Sequence, residues 1–134
     1  MPGKRSVDKP VYVLTSNYTF SAAEEFTYNF KNLKRAIIVG EVNGGGAHPG
    51  SYRQISKNFR VFIPIGRAIN PITNSNWEGT GVEPDILIDK EHAFEFAYKE
   101  ALHYVNNKYH SQEEYSFLIK EVNDKLLEIK GGNK

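Results

Sequence analysis

Ser21 is the first residue in this chain whose placement could do chemistry. An apolar run, Val11-Tyr12-Val13-Leu14, leads into it, and a helical pattern through Phe26, Phe30 and Leu33 leads away. A serine where a strand turns into a helix has its hydroxyl near unpaired backbone N–H groups, where developing negative charge is favoured. A nucleophile belongs at such a place if an oxyanion must be held beside it. The same residues carry a second reading. Ser21-Ala22-Ala23-Glu24 is also a capping box, and Glu24 and Glu25 suit a helical first turn electrostatically. The local pattern leaves both readings open.

Two further stretches could join a site. Gly44-Gly45-Gly46-Ala47-His48-Pro49-Gly50 is glycine-rich, so its backbone can take positive φ and approach a neighbour closely. It reads either as a tight loop or as the backbone-lined wall of a substrate groove, with Gly45, Gly46 and His48 as candidate lining. It is no phosphate loop, because the Gly-Lys-Ser/Thr ending is missing. Glu78 lies 57 positions after Ser21, in Trp77-Glu78-Gly79-Thr80-Gly81-Val82-Glu83-Pro84-Asp85. A loop carboxylate beside glycines can be aimed with little steric hindrance, and the plain alternative is a solvated one.

The four histidines are His48, His92, His103 and His110. Ser21, Glu78 and His92 or His103 would follow the chain order of an α/β-hydrolase. The Gly-x-Ser-x-Gly elbow of that family is absent, with Phe20 and Ala22 flanking the serine instead. His103 falls among the apolar positions of a helical pattern, which points to packing or surface. No pair of histidines has metal-ligand spacing supported by a third ligand, so neither a metal nor another cofactor is expected.

The elements that must position these residues follow from periodicity. Val11 to Thr15 reads as a strand buried on both faces, and Ser21 to about Lys34 as a helix with the stripe Ala22, Ala23, Phe26, Phe30 and Leu33. Ala36 to Gly40 is a second strand, and strand–helix–strand with short links implies parallel pairing. Tyr52 to Ser56 and Phe59 to Ile65 read as a hairpin around Lys57-Asn58, with Pro64 at a strand exit. Residues 67–77 are loop, and Ile86-Leu87-Ile88 is a last short strand. Amphipathic helices follow from about Glu91 to Asn106 and from Ser111 to about Lys130. Ser111 and Glu114 form a second capping box, and Gly131-Gly132 a stop. Met1-Pro2-Gly3-Lys4-Arg5-Ser6 reads as a loop.

At 134 residues, 40% hydrophobic and 13% aromatic, the chain can build one modest core, and it is read as a single domain over 1–134. A net charge of +1 offers no electrostatic case for nucleic acid or an anionic membrane. No apolar run approaches the roughly 18 residues of a membrane span. With no cysteine, thiol catalysis, disulfides and thiolate metal sites are excluded.

Three stretches together carry a resemblance. Thr19-Phe20-Ser21-Ala22-Ala23-Glu24-Glu25-Phe26, then Val39-Gly40-Glu41 with Gly44-Gly45-Gly46-Ala47-His48-Pro49, then Asn76 to Asp85, occur in that order. The chain resembles the C-terminal half of the C-terminal-processing (tail-specific) serine peptidases. The nearest branch is that of the tricorn core protease and the interphotoreceptor retinoid-binding proteins. The similarity runs from about Lys9 to Asp89; the helical tail, about 91–130, carries no matched motif. The resemblance implies the superhelix of β-β-α units shared with Clp protease and crotonase. It implies Ser21 as nucleophile, the Ala22 backbone N–H as one oxyanion donor, and Glu78 as the acid that supports the catalytic histidine through a second serine. The family's histidine, that serine and a second oxyanion glycine lie upstream of the nucleophile and have no counterpart in the 20 residues before Ser21. The expectation is therefore part of a site, in a piece of a longer serine endopeptidase that is inert alone. Its substrate would be peptide or unfolded protein, and family habit favours export. The alternative is a non-catalytic domain of the same fold holding an apolar, retinoid- or lipid-like ligand, with Ser21 only a cap. The oligomeric state is left open.

Overall fold

The computed structural model describes Gly3 and residues 6–131. Most of the N-terminal loop expected over Met1 to Ser6, and Gly132 of the expected helix stop, lie outside the described residues. The chain divides into two compact units, Met1–Lys90 and Glu91–Lys134. In the first, β1 (Tyr12–Thr15), β2 (Ile37–Gly40) and β5 (Ile86–Leu87) form a parallel sheet in the order β1-β2-β5. The helix α1 (Ala22–Asn32) connects β1 to β2, which is the strand–helix–strand unit expected from the sequence. Central β2 is buried on both faces, with Ile38 and Val39 fully enclosed. Edge strand β1 is not: Leu14 is 42% exposed, so the strand expected over Val11 to Thr15 is not buried on both faces, because it lies at the edge of the sheet.

Helix α1 departs further from its pattern. The expected apolar stripe does not face the core: Phe26 and Leu33 are exposed, and Phe26 stacks on Phe30 with ring centroids 4.2 Å apart. The buried residues of α1 are Glu24 and Thr27. Their burial is possible because both are satisfied. The Thr27 hydroxyl donates to the Ala23 carbonyl at 2.8 Å, and the Glu24 carboxylate accepts three backbone amides. The far end of α1 is tied to the sheet through Lys31, whose ammonium lies 3.0 Å from an Asp85 carboxylate oxygen. The other Asp85 oxygen accepts the Ile38 N–H at 2.9 Å, so one side chain joins helix, β2 and the entry to β5.

An antiparallel hairpin, β3 (Gly50–Gln54) and β4 (Arg60–Pro64), leaves this sheet. It starts two residues earlier than Tyr52, and its second strand ends at Pro64, just past which the Ile65 N–H donates to the Pro49 carbonyl at 2.9 Å. Every residue of β4 is exposed. A second apolar cluster joins Ala47, Trp77 and Val82, with Tyr28 of α1 packed against it.

The second unit is helical: α2 (Lys90–Tyr109), a single 3-10 turn over Glu113–Tyr115, and α3 (Ser116–Gly131). Leu102, Val122 and Leu126 form its core, covered by Tyr98, Val105, Leu118 and Ile129. The long helix expected from Ser111 is thus broken, and the Ser111–Glu114 box does not form. Gln112 is the cap of the 3-10 turn without a side-chain cap bond, its amide being drawn back to the Lys108 carbonyl. Tyr109 and Tyr115 pack across the break, ring centroids 4.5 Å apart. No helix among the described residues is long and apolar enough to cross a membrane.

Gly40 shows how closely β1 and β2 approach at the end that leads to Ser21. Its φ is +132, and a Cβ there would lie well inside van der Waals contact distance of the Thr15 carbonyl oxygen. Gly40→Ala should therefore lower the unfolding free energy by about 2 kcal/mol or more, strain and overpacking adding. Urea denaturation of the two proteins checks this, and an unchanged midpoint would contradict it.

Candidate active site

Ser21 sits at the start of α1 with φ 57 and ψ −122, one of three described non-glycine residues with positive φ. A cap normally lies in the β region, so this backbone is not that of an ordinary capping serine. Positions of this kind cost about 1–3 kcal/mol and persist only where surrounding structure imposes them. Glu24 imposes this one by accepting the Ser21 N–H at 2.8 Å, which is its half of a capping box. The Ser21 side chain faces the Glu24 amide in the reciprocal position but makes no cap hydrogen bond; that amide donates to the Ser21 carbonyl oxygen instead, at 2.9 Å. The Ala22 N–H finds no acceptor among the described residues.

Glu24 reaches beyond its own turn. Its Oε1 accepts the Gly45 N–H at 2.6 Å and its Oε2 the Gly46 N–H at 2.8 Å. One fully buried carboxylate therefore holds Ser21 and the glycine loop in fixed relation. Phe20 packs on the same loop. A Cβ at Gly44 would meet its ring at 2.6 Å, and one at Gly46 would overlap it outright. The glycines are needed because an aromatic ring lies where their side chains would be.

Glu78 secures the next two residues. Its Oε2 accepts the Ala47 N–H at 2.7 Å and the His48 N–H at 3.0 Å. Oε1 lies 3.8 Å from His48 Nδ1, too long for a hydrogen bond. The Ala47 amide, with smaller help from the His48 amide and ring, outweighs desolvation and holds the Glu78 carboxyl below its usual pKa of 4.5. Glu78 is aimed by its neighbours. Trp77 is 3% exposed and packs on Tyr28 with ring centroids 5.3 Å apart, while Gly79 N–H donates to the Gly45 carbonyl at 2.8 Å.

A cavity of about 720 Å³ brings these groups together. Its lining includes Phe20, Ser21, Gly44, Gly45, Gly46, His48, Phe62 and Glu78. Ser21, Glu78 and the candidate groove residues Gly45, Gly46 and His48 are thus on one surface. The His48 Nε2 is buried and finds no hydrogen-bond partner among the described residues, so the ring is not engaged with Ser21. His92, His103 and His110 belong to the helical unit and are exposed. Among the described residues, no group of three His, Asp or Glu is placed to hold a metal.

The sequence offered no sign of two roles. Glu24 reads there as the acid of a capping box with Ser21, and that half forms; its hold on the glycine loop is not legible, because its partners 21 and 22 positions on carry no side chain to announce them. Phe62 looked like one more strand residue; only pairing to Tyr52 and packing over Gly50 place it at the cavity.

The sequence model of peptidase family S41 matches residues 2–88. Among solved structures, the photosystem II D1 C-terminal processing protease is similar at 28% identity and a TM-score of 0.53. The match covers 63% of this chain and 22% of that one. Mature CPAF, 23% identical over 87% of this chain and 21% of its own, has the same fold with a TM-score of 0.54. Its complex with lactacystin gives a TM-score of 0.55. The chain spans about a fifth of the length of each of these proteins.

The two carboxylates should behave differently. Glu24→Ala should lower stability by about 3 kcal/mol or more, because three buried amides lose their acceptor together. Thermal unfolding that matches the wild type would contradict this. For Glu78 the folded pKa is depressed. Its contribution to loop stability is therefore present above the ordinary value of 4.5 and is lost as pH falls through the lower folded value. In an NMR titration, the Ala47 and His48 amide shifts should move with a midpoint below 4.5 and stay still in Glu78→Gln. A midpoint at or above 4.5 would contradict the assignment.

Proposed function

This chain belongs to peptidase family S41, and from that premise we propose that it carries the nucleophile side of a serine endopeptidase site acting on peptide or unfolded protein. The observation that carries the reading is the Ser21 backbone. A non-glycine residue is held at φ 57 by a buried carboxylate, and it lines the cavity. Strain of this kind gathers where a reactive group must be presented in one orientation. The adjacent Ala22 N–H, at the positive end of α1, is the proposed oxyanion donor.

Glu78 is proposed as the orienting acid. Its Oε2 is occupied by the two loop amides, but its Oε1 makes no hydrogen bond among the described residues and its side chain is 42% exposed. That oxygen is the natural acceptor for a donor outside this chain, the serine–histidine pair that the family places upstream of the nucleophile. In this reading the histidine takes the Ser21 proton as the hydroxyl attacks the scissile carbonyl, then returns it to the leaving amine. The wider β-β-α superhelix of Clp protease and crotonase is proposed with it, this chain supplying one part. The C-terminal-processing proteases that it resembles suggest cleavage near the tails of substrates, and export is proposed on the same ground.

The apolar share of the cavity, with Phe20 and Phe62 on its wall, also suits a non-catalytic domain that binds an apolar ligand. Kinetics separates the two. Ser21→Ala in the full-length protein should abolish peptidase activity, a loss of several orders of magnitude in kcat. Glu78→Gln should lower kcat less, with KM little changed, since it leaves the base present but misaligned. Full turnover in Ser21→Ala would overturn the reading.

The 134-residue chain alone should react with a fluorophosphonate probe far more slowly than the full-length protein. A serine without its base keeps the pKa of an alcohol, and each missing group is worth about a hundredfold or more. Labelling of Ser21 at equal rates would mean that a group within this chain completes the site.

A further inference from the structure

The β3–β4 hairpin extends from the cavity and is covered by nothing among the described residues of its unit. Strand pairing sets Gly50 opposite Pro64, Tyr52 opposite Phe62 and Gln54 opposite Arg60, so these side chains share one face. One end of that face belongs to the cavity, since Gly50, Phe62 and Pro64 line it together with Phe20 and Ser21. From there the face continues without a break. Tyr52 meets Phe62 edge-on at 5.4 Å between centroids, and the Arg60 guanidinium lies 4.4 Å from the centroid of the Tyr52 ring. Tyr52 and Phe62 are 60% and 45% exposed, and Phe20 is 58% exposed. An apolar strip of this kind on a soluble surface marks a binding site.

Charge says what binds it. From Val42 to Trp77 there is no Asp or Glu, while Arg53, Lys57, Arg60 and Arg67 are all present. None of the four makes an ion pair among the described residues. Over the Tyr52 ring, the Arg60 guanidinium has no carboxylate partner among the described residues, and a guanidinium can pair with one at two points. A second copy of this chain fits the face poorly, because a two-fold contact would set these cations against each other.

We propose that this face recognises the substrate segment beside the scissile bond. Phe20 and Phe62 take a large apolar side chain, and Arg60 takes an acidic side chain two residues away from it. The inference rests on the reading that Ser21 attacks a peptide bond. The spacing follows from the strand: the Tyr52–Phe62 and Gln54–Arg60 pairs are two residues apart, about 7 Å, and an extended peptide repeats its same-face side chains at that interval.

The test uses full-length protein carrying Ser21→Ala, which binds without cleaving, and fluorescent extended peptides read by anisotropy. One peptide holds Phe with Glu two residues away on both sides; a second replaces the Glu residues by Lys; a third replaces Phe by Gly. The Phe/Glu peptide should bind about tenfold tighter than either of the others. Adding Arg60→Glu should reverse the Glu-over-Lys preference, and adding Phe62→Ala should erase the Phe-over-Gly preference while leaving the charge preference. Equal binding of the three peptides, no binding, or an unchanged preference in Arg60→Glu overturns the inference. So does sedimentation showing that the face holds a second copy in an Arg60-dependent dimer. Cleavage by the Ser21 protein separates the two readings. Selective binding without cleavage would fail the proposed reaction and keep the recognition face, and cleavage without selectivity would do the reverse.

Discussion

The Glu24 carboxylate is the interaction on which the rest of the first unit depends. It is fully buried, and it accepts the N–H groups of Ser21, Gly45 and Gly46 at 2.6–2.8 Å. A buried carboxylate is tolerable only when its lone pairs are filled, and three amides fill them. The amides gain equally, since all three belong to irregular backbone that no ladder would satisfy. The interaction is local at one end and distant at the other. It therefore converts a helix start into a fixed point of the tertiary structure and holds Ser21 at a φ that its side chain disfavours.

Glu78 repeats the device from the other side. Together the two carboxylates take the N–H groups of Gly45, Gly46, Ala47 and His48, four in succession. A run of free amides in a glycine loop would be an anion-binding concavity; here those donors are already engaged. The loop is a held wall, and the Ala22 N–H at the helix end is the donor left over. The wall is completed by aromatic rings that occupy the space of absent side chains, Phe20 on Gly44 and Gly46, and Phe62 on Gly50. The cavity thus has a polar side made of carboxylate-bound backbone and an apolar side made of rings.

Both supporting networks are anchored in ordinary packing. Trp77 fills the cluster with Ala47, Val82 and Tyr28 and so fixes the residue that follows it. Asn43, also buried, accepts the Val82 N–H at 2.6 Å and ties the two loops at a second level. The site is therefore positioned by side chains outside it, and changes at Trp77 or Asn43 act on it through Glu78 and the glycine loop.

The sequence by itself determined the elements and the kinship. Apolar runs and helical spacing located β1, α1, β2, the hairpin and the two long helical stretches, because those patterns arise from neighbours a few residues apart. The ordered motifs around Ser21, Gly44–Gly46 and Glu78 pointed to the C-terminal-processing peptidases, because each is a compact string. Tertiary structure alone decided which face of each element is inside. The stripe of Phe26 and Leu33 lies outward and Glu24 lies inward, since a carboxylate that meets three orphan amides is better placed there than in water, and two of those amides come from 21 and 22 positions further along the chain. The late start of the last helix, at Ser116 after a 3-10 turn, belongs here too: Tyr109 packs on Tyr115 where the capping pattern at Ser111 was locally sound. Periodicity reports how a segment prefers to coil; it carries no information on a partner that only folding brings near.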